Sequence, residues 1–306
     1  MTAGRAFHPP AGLVPGARVA VIAPASAFDR ASFESGLAII RARYDVQFQP
    51  AIFERRRYLA GSDSRRLAEL SDALLDPAIK AVFCARGGYG ATRLLRQLAT
   101  LKLAAPKPLV GFSDITALHL WLQSLGIMSI HGPVLTQLGQ LPEATRQRLF
   151  DLLESTTPAA ALRGSDTYVP GVAEGPLLGG TLSVLTRLLG TPYLPALEGA
   201  ILLLEDVGER PYRLDRMWTH LDLAGVLRQV RGVAFGSFTG CEEKDADYGA
   251  ADVLRELAAA TGLPCVAGLP IGHGAANEPV PLGARVRLDA GARSLSFLEA
   301  AVTRAG

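Results

Sequence analysis

Pro108-Leu109-Val110-Gly111-Phe112-Ser113-Asp114-Ile115-Thr116-Ala117-Leu118-His119-Leu120 carries a short apolar run straight into a stretch of helical period. Only three residues separate the strand expected at 109–111 from the helix expected at 115–125. A short apolar run bounded by Pro and Gly reads as a buried strand, and the longer periodic segment after it as a helix. The same alternation extends in both directions. Strands are expected at 19–23, 46–48, 79–84 and 129–130, and helices at 31–43, 64–75, 91–98 and 143–154. Strand and helix repeating at this spacing mean right-handed βαβ units and a parallel sheet covered on both faces.

Residues 156–171 change character, with Thr156-Thr157-Pro158, Gly164-Ser165-Asp166 and Pro170-Gly171 giving linker composition. We expect two domains, 1–160 and 161–306. In the second, the pattern predicts helices at 178–189, 214–227 and 250–260, and strands at 201–204, 232–235 and 265–267. It closes on a β-rich end at 285–298 with a hairpin turn around Gly291. The fold class is α/β: an N-terminal open parallel-sheet domain and a C-terminal β-rich α/β domain.

The 306 residues include 49% hydrophobic and 20% charged ones, enough apolar content for a substantial core. Thirty-one Lys and Arg against 29 Asp and Glu leave a net charge of +2. No basic run interleaved with aromatics marks a nucleic-acid face, and Arg55-Arg56-Arg57 reads as a solvated surface. Cys84, Cys241 and Cys265 are odd in number and widely spaced, without ligand spacing for zinc or a disulfide framework. No metal or other cofactor is expected. No apolar stretch reaches membrane-spanning length. Residues 19–23 followed by Ala25-Ser26-Ala27 imitate a signal peptide, but the run is short and Pro9-Pro10 and Pro15-Gly16 interrupt its approach. A first strand in a cytoplasmic protein is the expected reading.

Three polar residues follow apolar strands, and the carboxyl ends of strands are where α/β sheets bind ligands. Ser113 follows residues 109–111, Glu205 follows 201–204, and His273 follows 265–267 and the turn Leu269-Pro270-Ile271-Gly272. Together they offer a nucleophile, a base and an orienting carboxylate. Gly111-Phe112-Ser113-Asp114-Ile115 has the layout of a nucleophile elbow, yet Ile115 stands where a second glycine is usual. Taken alone, the pentapeptide is better explained by Ser113 or Asp114 capping the helix. Arg86-Gly87-Gly88-Tyr89-Gly90 can bring backbone N–H groups close to an anion, or simply turn tightly from strand to helix. Asp206 and Glu209 compete with Glu205 for the acid. His131 is the main rival to His273, ahead of His8, His119 and His220.

These segments, with Val21-Ile22-Ala23-Pro24-Ala25-Ser26, Gly179-Gly180-Thr181-Leu182, Gly190-Thr191-Pro192-Tyr193 and Gly236-Ser237-Phe238, resemble in order the LD-carboxypeptidase family of serine peptidases. The resemblance runs from about residue 18 to about residue 298. It implies a triad of Ser113 as nucleophile, His273 as base and Glu205 as its orienter, with an oxyanion hole from the N–H groups of Gly88 and Asp114. It also implies a homodimer acting on murein tetrapeptides, releasing D-alanine during peptidoglycan recycling. Arg86 and Gly87 are candidates for the substrate carboxylate. Thr181 departs from the Asn common in the family, which puts fine specificity in question. A microcin-immunity type of hydrolase, cleaving aminoacyl-nucleotides, is the alternative within the family. It calls for an aromatic surface, and residues 190–199 offer only Tyr193. A two-domain binder without catalysis is the alternative outside it.

Overall fold

Val19, Ala20, Val21 and Ile22 are all buried, so the first strand has no polar face and must lie in a sheet covered on both sides. The computed structural model describes residues 6–305. In it β1 (Arg18–Ile22), β2 (Asp45–Gln47), β3 (Ala81–Cys84), β4 (Leu109–Gly111) and β5 (Ser129–His131) form a parallel sheet. The helices between them are α1 (Arg30–Arg41), α2 (Asp63–Leu75), the single turn α3 (Leu95–Leu98) and α4 (Thr116–Ser124), with α5 (Glu143–Glu154) after β5. Side-chain caps start the first two. The Asp29 carboxylate accepts from Ser32 N–H at 2.8 Å and the Ser62 hydroxyl from Arg65 N–H at 3.1 Å.

The second half brings β6 (Leu162–Arg163), β7 (Asp166–Val169), β8 (Val172–Thr181), α6 (Leu182–Thr186), β9 (Ile201–Val207), α7 (Pro211–Leu223), β10 (Gly232–Thr239), α8 (Ala250–Thr261) and β11 (Cys265–Ala267). Then come β12 (Val280–Leu282), β13 (Arg285–Asp289) and β14 (Ser294–Phe297). An eight-stranded sheet runs β6-β14-β13-β8-β9-β10-β11-β7, with β8 to β11 parallel and the flanking strands antiparallel. This is the parallel-sheet domain joined to a β-rich α/β domain that the sequence predicts.

Two expectations for the second half need correction. Residues 178–189 are not one helix, since 172–181 form β8 and only Leu182–Thr186 turn helically. Leu177 and Leu178 are both buried, and a strand covered on both faces shows no alternation to separate it from a helix. The linker-like segment is also partly pleated. β6 pairs β14 at one edge of the sheet, and β7 pairs β11 at the other.

The halves are joined more closely than a linker would join them. β12, though late in the chain, pairs antiparallel with β5, matching Val280 to His131, and so completes the first sheet. Every residue of α4 from Thr116 to Gln123 is buried, as befits a helix enclosed on all sides. Leu118 and Trp121 of α4 share one apolar cluster with Leu178, Leu182, Leu202 and Trp218 of the second half. Among the described residues no helix is long and apolar enough to cross a membrane.

A shared core predicts shared unfolding. Urea transitions followed by far-UV circular dichroism and by fluorescence of Trp121 and Trp218 should coincide. Leu118→Ala should lower stability by about 2–5 kcal/mol within that one transition. Two separated transitions would refute the shared core.

Candidate active site

Gly111 ends β4 against Ile115, and a Cβ there would come within 2.9 Å of the Ile115 side chain, so the strand turns into the helix at close quarters. The turn is completed by Ser113, whose φ of 64° lies in the left-handed region that non-glycine residues rarely enter. Backbone strain at a strand-to-helix turn is the hallmark of an elbow, and it forms here with Ile115 buried in the core in place of a second glycine. Ile115 is the first residue of the turn whose N–H finds the ladder, donating to Phe112 O at 3.2 Å. The N–H groups of Ser113 and Asp114 precede it and lie outside the helical ladder.

Glu205 is inside β9 rather than after it, since the strand continues to Val207. Strand alternation then separates the neighbouring acids. Asp206 faces the other way, accepting from Ser183 N–H at 2.7 Å and from its hydroxyl at 3.1 Å. Glu209 pairs with Arg213 at 3.4 Å. Glu205 is fully buried, and Gly272 (φ 104°) makes room for it, because a Cβ at that glycine would run into the carboxylate. The loop around Gly272 is closed by Gly272 N–H donating to Asn277 Oδ1 (3.0 Å) and Glu278 N–H donating to Pro270 O (2.8 Å).

That loop carries His273 across to the elbow. Its Nδ1 lies 2.7 Å from Glu205 Oε2 and its Nε2 3.1 Å from Ser113 Oγ, while its backbone N–H donates to the same carboxylate oxygen at 3.2 Å. An ionised carboxylate only accepts, so Nδ1 carries the hydrogen and Nε2 is left to accept from Ser113. The Phe112 ring lies 4.6 Å from the imidazole and limits its tilt. Burial alone would raise the Glu205 pKa. The His273 hydrogen bond, the electrostatic pull of the His273 and His131 imidazoles, and the Thr181 hydroxyl together outweigh it and hold the carboxyl below its ordinary value.

The glycine-rich loop lies against the elbow. A Cβ on Gly87 would sit 2.7 Å from Ser113 Cβ, so the close approach depends on glycine. Gly88 has φ 94° and is exposed. Ser26, unremarked among the candidate residues, staples this loop: its N–H donates to Gly87 O at 3.1 Å and its hydroxyl accepts from Tyr89 N–H at 3.0 Å. On the other side the Asp114 carboxylate accepts from Ala91 N–H at 2.7 Å. Burial pushes Asp114 up to about 6, against the pull of that bond and of the Arg66 charge. Arg86 is exposed, and its guanidinium donates to Ala27 O at 2.8 Å. Among the described residues no three His, Cys, Asp or Glu side chains gather as a metal cluster.

The rival histidines stand apart from Ser113 Oγ. His8 and His220 are exposed. His119 is buried between Ser129 Oγ (2.9 Å) and Gly111 O (2.8 Å). His131 is fully buried with neither ring nitrogen hydrogen-bonded among the described residues, and its ring lies 5.8 Å from Phe112.

Burial drives His131 down to about 4, with Glu205 opposing and His273 assisting. The unfolded chain takes up this proton near pH 6.5, so the folded state is favoured above that value and progressively loses the advantage as pH falls towards 4. His131→Leu should remove the effect. Between pH 7.5 and pH 5, wild type should lose on the order of 2 kcal/mol relative to the variant in paired urea titrations. An unchanged gap would show that His131 is not held neutral.

Two family models match the chain: the LD-carboxypeptidase N-terminal domain over residues 19–132 and the LD-carboxypeptidase C-terminal domain over 174–288. The murein tetrapeptide carboxypeptidase of Pseudomonas aeruginosa is 40% identical over 280 residues, covering 87% of this chain and 91% of that protein. The crystal structure of muramoyltetrapeptide carboxypeptidase from Oxalobacter formigenes superposes with a TM-score of 0.81 at 29% identity, covering 92% of this chain and 97% of the other. The microcin C7 self-immunity protein superposes at 0.88 with 20% identity, covering 97% of this chain and all of the other, a likeness of fold.

Proposed function

The chain belongs to the LD-carboxypeptidase family of serine peptidases, and on that footing we propose that it releases the terminal D-alanine of murein tetrapeptides, using Ser113 as nucleophile, His273 as general base and Glu205 as the base's orienter. It is a serine carboxypeptidase. The observation that carries the assignment of roles is the unbroken hydrogen-bonded line from buried Glu205 through His273 to Ser113 on its elbow.

In the proposed reaction Ser113 Oγ attacks the carbonyl carbon of the last peptide bond while His273 Nε2 takes its proton. The oxyanion that forms would meet the N–H groups of Gly88 and Asp114; Ser26 binds the glycine-rich loop at Tyr89 N–H, and the Asp114 carboxylate binds it at Ala91 N–H, which supports this reading. Glu205 stabilises the imidazolium, which then protonates the departing D-alanine amine. Water, activated by the same imidazole, hydrolyses the acyl-enzyme. Arg86 and the Gly87 amide, beside the elbow, are our candidates for the free carboxylate that defines an exopeptidase substrate. The nucleophile then lies in residues 1–160 and the acid and base in 161–306. Murein recycling in the cytoplasm by a homodimer completes the reading. Identity of 40% to a murein tetrapeptide carboxypeptidase, against 20% to the microcin immunity protein, favours it over aminoacyl-nucleotide cleavage.

Mass spectrometry of UDP-MurNAc-tetrapeptide after incubation should show loss of one alanine with wild type. Ser113→Ala, folded by circular dichroism, should be slower by at least about 10⁴-fold. Unaltered tetrapeptide with wild type would end the murein reading. Retained turnover in Ser113→Ala would end the assignment of the nucleophile.

Removing a base's orienting anion typically costs about 10⁴-fold in kcat, and Glu205→Gln should approach that figure with the fold intact. His273→Ala should be far more damaging than His131→Ala in the same assay. The reverse order would move the base to His131.

A further inference from the structure

Glu205 Oε2 is occupied by two hydrogen bonds from His273. The other oxygen, Oε1, accepts from the hydroxyl of Thr181, which is only 3% exposed. Thr181 ends β8, directly opposite Glu205 in the parallel register with β9. It is also bound to the elbow. Its backbone N–H donates to Thr116 Oγ1 at 3.0 Å, and its hydroxyl oxygen lies 3.3 Å from the carbonyl of Ser113. Gly180 before it (φ 139°) packs so closely on Thr116 that a Cβ would come within 3.0 Å of the Thr116 methyl group. One residue therefore touches the acid on one side and the nucleophile's own backbone on the other.

We propose that Thr181 is a positioning residue for the reaction: it fixes the Glu205 carboxylate, and through it the His273 imidazole, relative to the elbow that carries Ser113. This rests on the triad reading above. A carboxylate anchored through one oxygen alone can rotate about its Cγ–Cδ bond. With both oxygens engaged its plane is set, and so is the direction from which Nδ1–H must approach. The hydroxyl has one hydrogen and two acceptors in reach. The charged carboxylate takes it, because a charge-assisted bond is the stronger, and the Ser113 carbonyl is left as a neighbour. The departure from Asn at this position thus bears on the acid rather than on the substrate: a hydroxyl satisfies Glu205 alone, where an amide has two hydrogens to offer.

The test compares Thr181→Val, which keeps the shape and deletes the donor, with Thr181→Ser, which keeps the donor. Kinetics on UDP-MurNAc-tetrapeptide should show kcat reduced about ten- to a hundredfold in Thr181→Val with KM within twofold of wild type. Thr181→Ser should recover most of the loss. The downfield proton NMR resonance of the His273 Nδ1–H bonded to Glu205 should be present in wild type and Thr181→Ser, and shifted or broadened in Thr181→Val. An unchanged kcat in Thr181→Val would overturn the proposal. So would a loss confined to KM, which would make Thr181 a substrate contact. Ser113→Ala run alongside separates the two levels: if it remains active, the triad reading fails, and if it is inactive while Thr181→Val is normal, only the positioning role fails.

Discussion

A carboxylate with no access to solvent must be held by hydrogen bonds and opposite charge, or it takes up a proton. Glu205 meets that condition by drawing hydrogen bonds from two separate stretches of chain, the His273 loop for one oxygen and Thr181 at the end of β8 for the other, with the nearby imidazoles adding electrostatic support. The elbow must then come close enough for Ser113 to meet the imidazole. Much of the molecule can be understood as satisfying this constraint. The glycines at 87, 180 and 272 leave out side chains where the backbone must pass close to the side chains of Ser113, Thr116 and Glu205, and the enclosed helix α4 holds the elbow against the second sheet.

Some of this is written locally and some is not. The alternation of the first half can be read directly where β1, β3 and β4 are apolar runs with turn residues nearby; 109–111 and 143–154 are found as expected. In β8 the same logic fails, since burial of both faces erases the two-residue period. β12 is three residues long and contains Pro281, so nothing in its composition announces a strand. Its place is set by β5, which lies about 150 residues earlier in the chain.

The candidate site divides in the same way. Ser113, Glu205 and His273 can be listed from their addresses after strands, but residue type alone leaves Asp206, Glu209 and His131 as rivals. What separates them is facing. Asp206 is turned to Ser183 by the pleat, Glu209 is paired at the surface, and His131 is enclosed without a hydrogen-bond partner among the described residues. The stapling bond of Ser26 and the bond from Thr181 to the acid escape a reading of residues because their partners lie 63 and 24 residues away.

The path of the chain after β11 has an evolutionary side. The loop bearing His273 is tied at one end to the second sheet by β11 and at the other to the first sheet by β12. Cutting the molecule at the apparent linker would strip β5 of its outer neighbour and leave a bare edge ready to pair with another chain. Neither half could be shuffled into a new partner, nor lost and regained, without rebuilding the other. The two layers are thus tied by strand pairing across their seam, and a rearrangement of the gene that parted them would leave each incomplete.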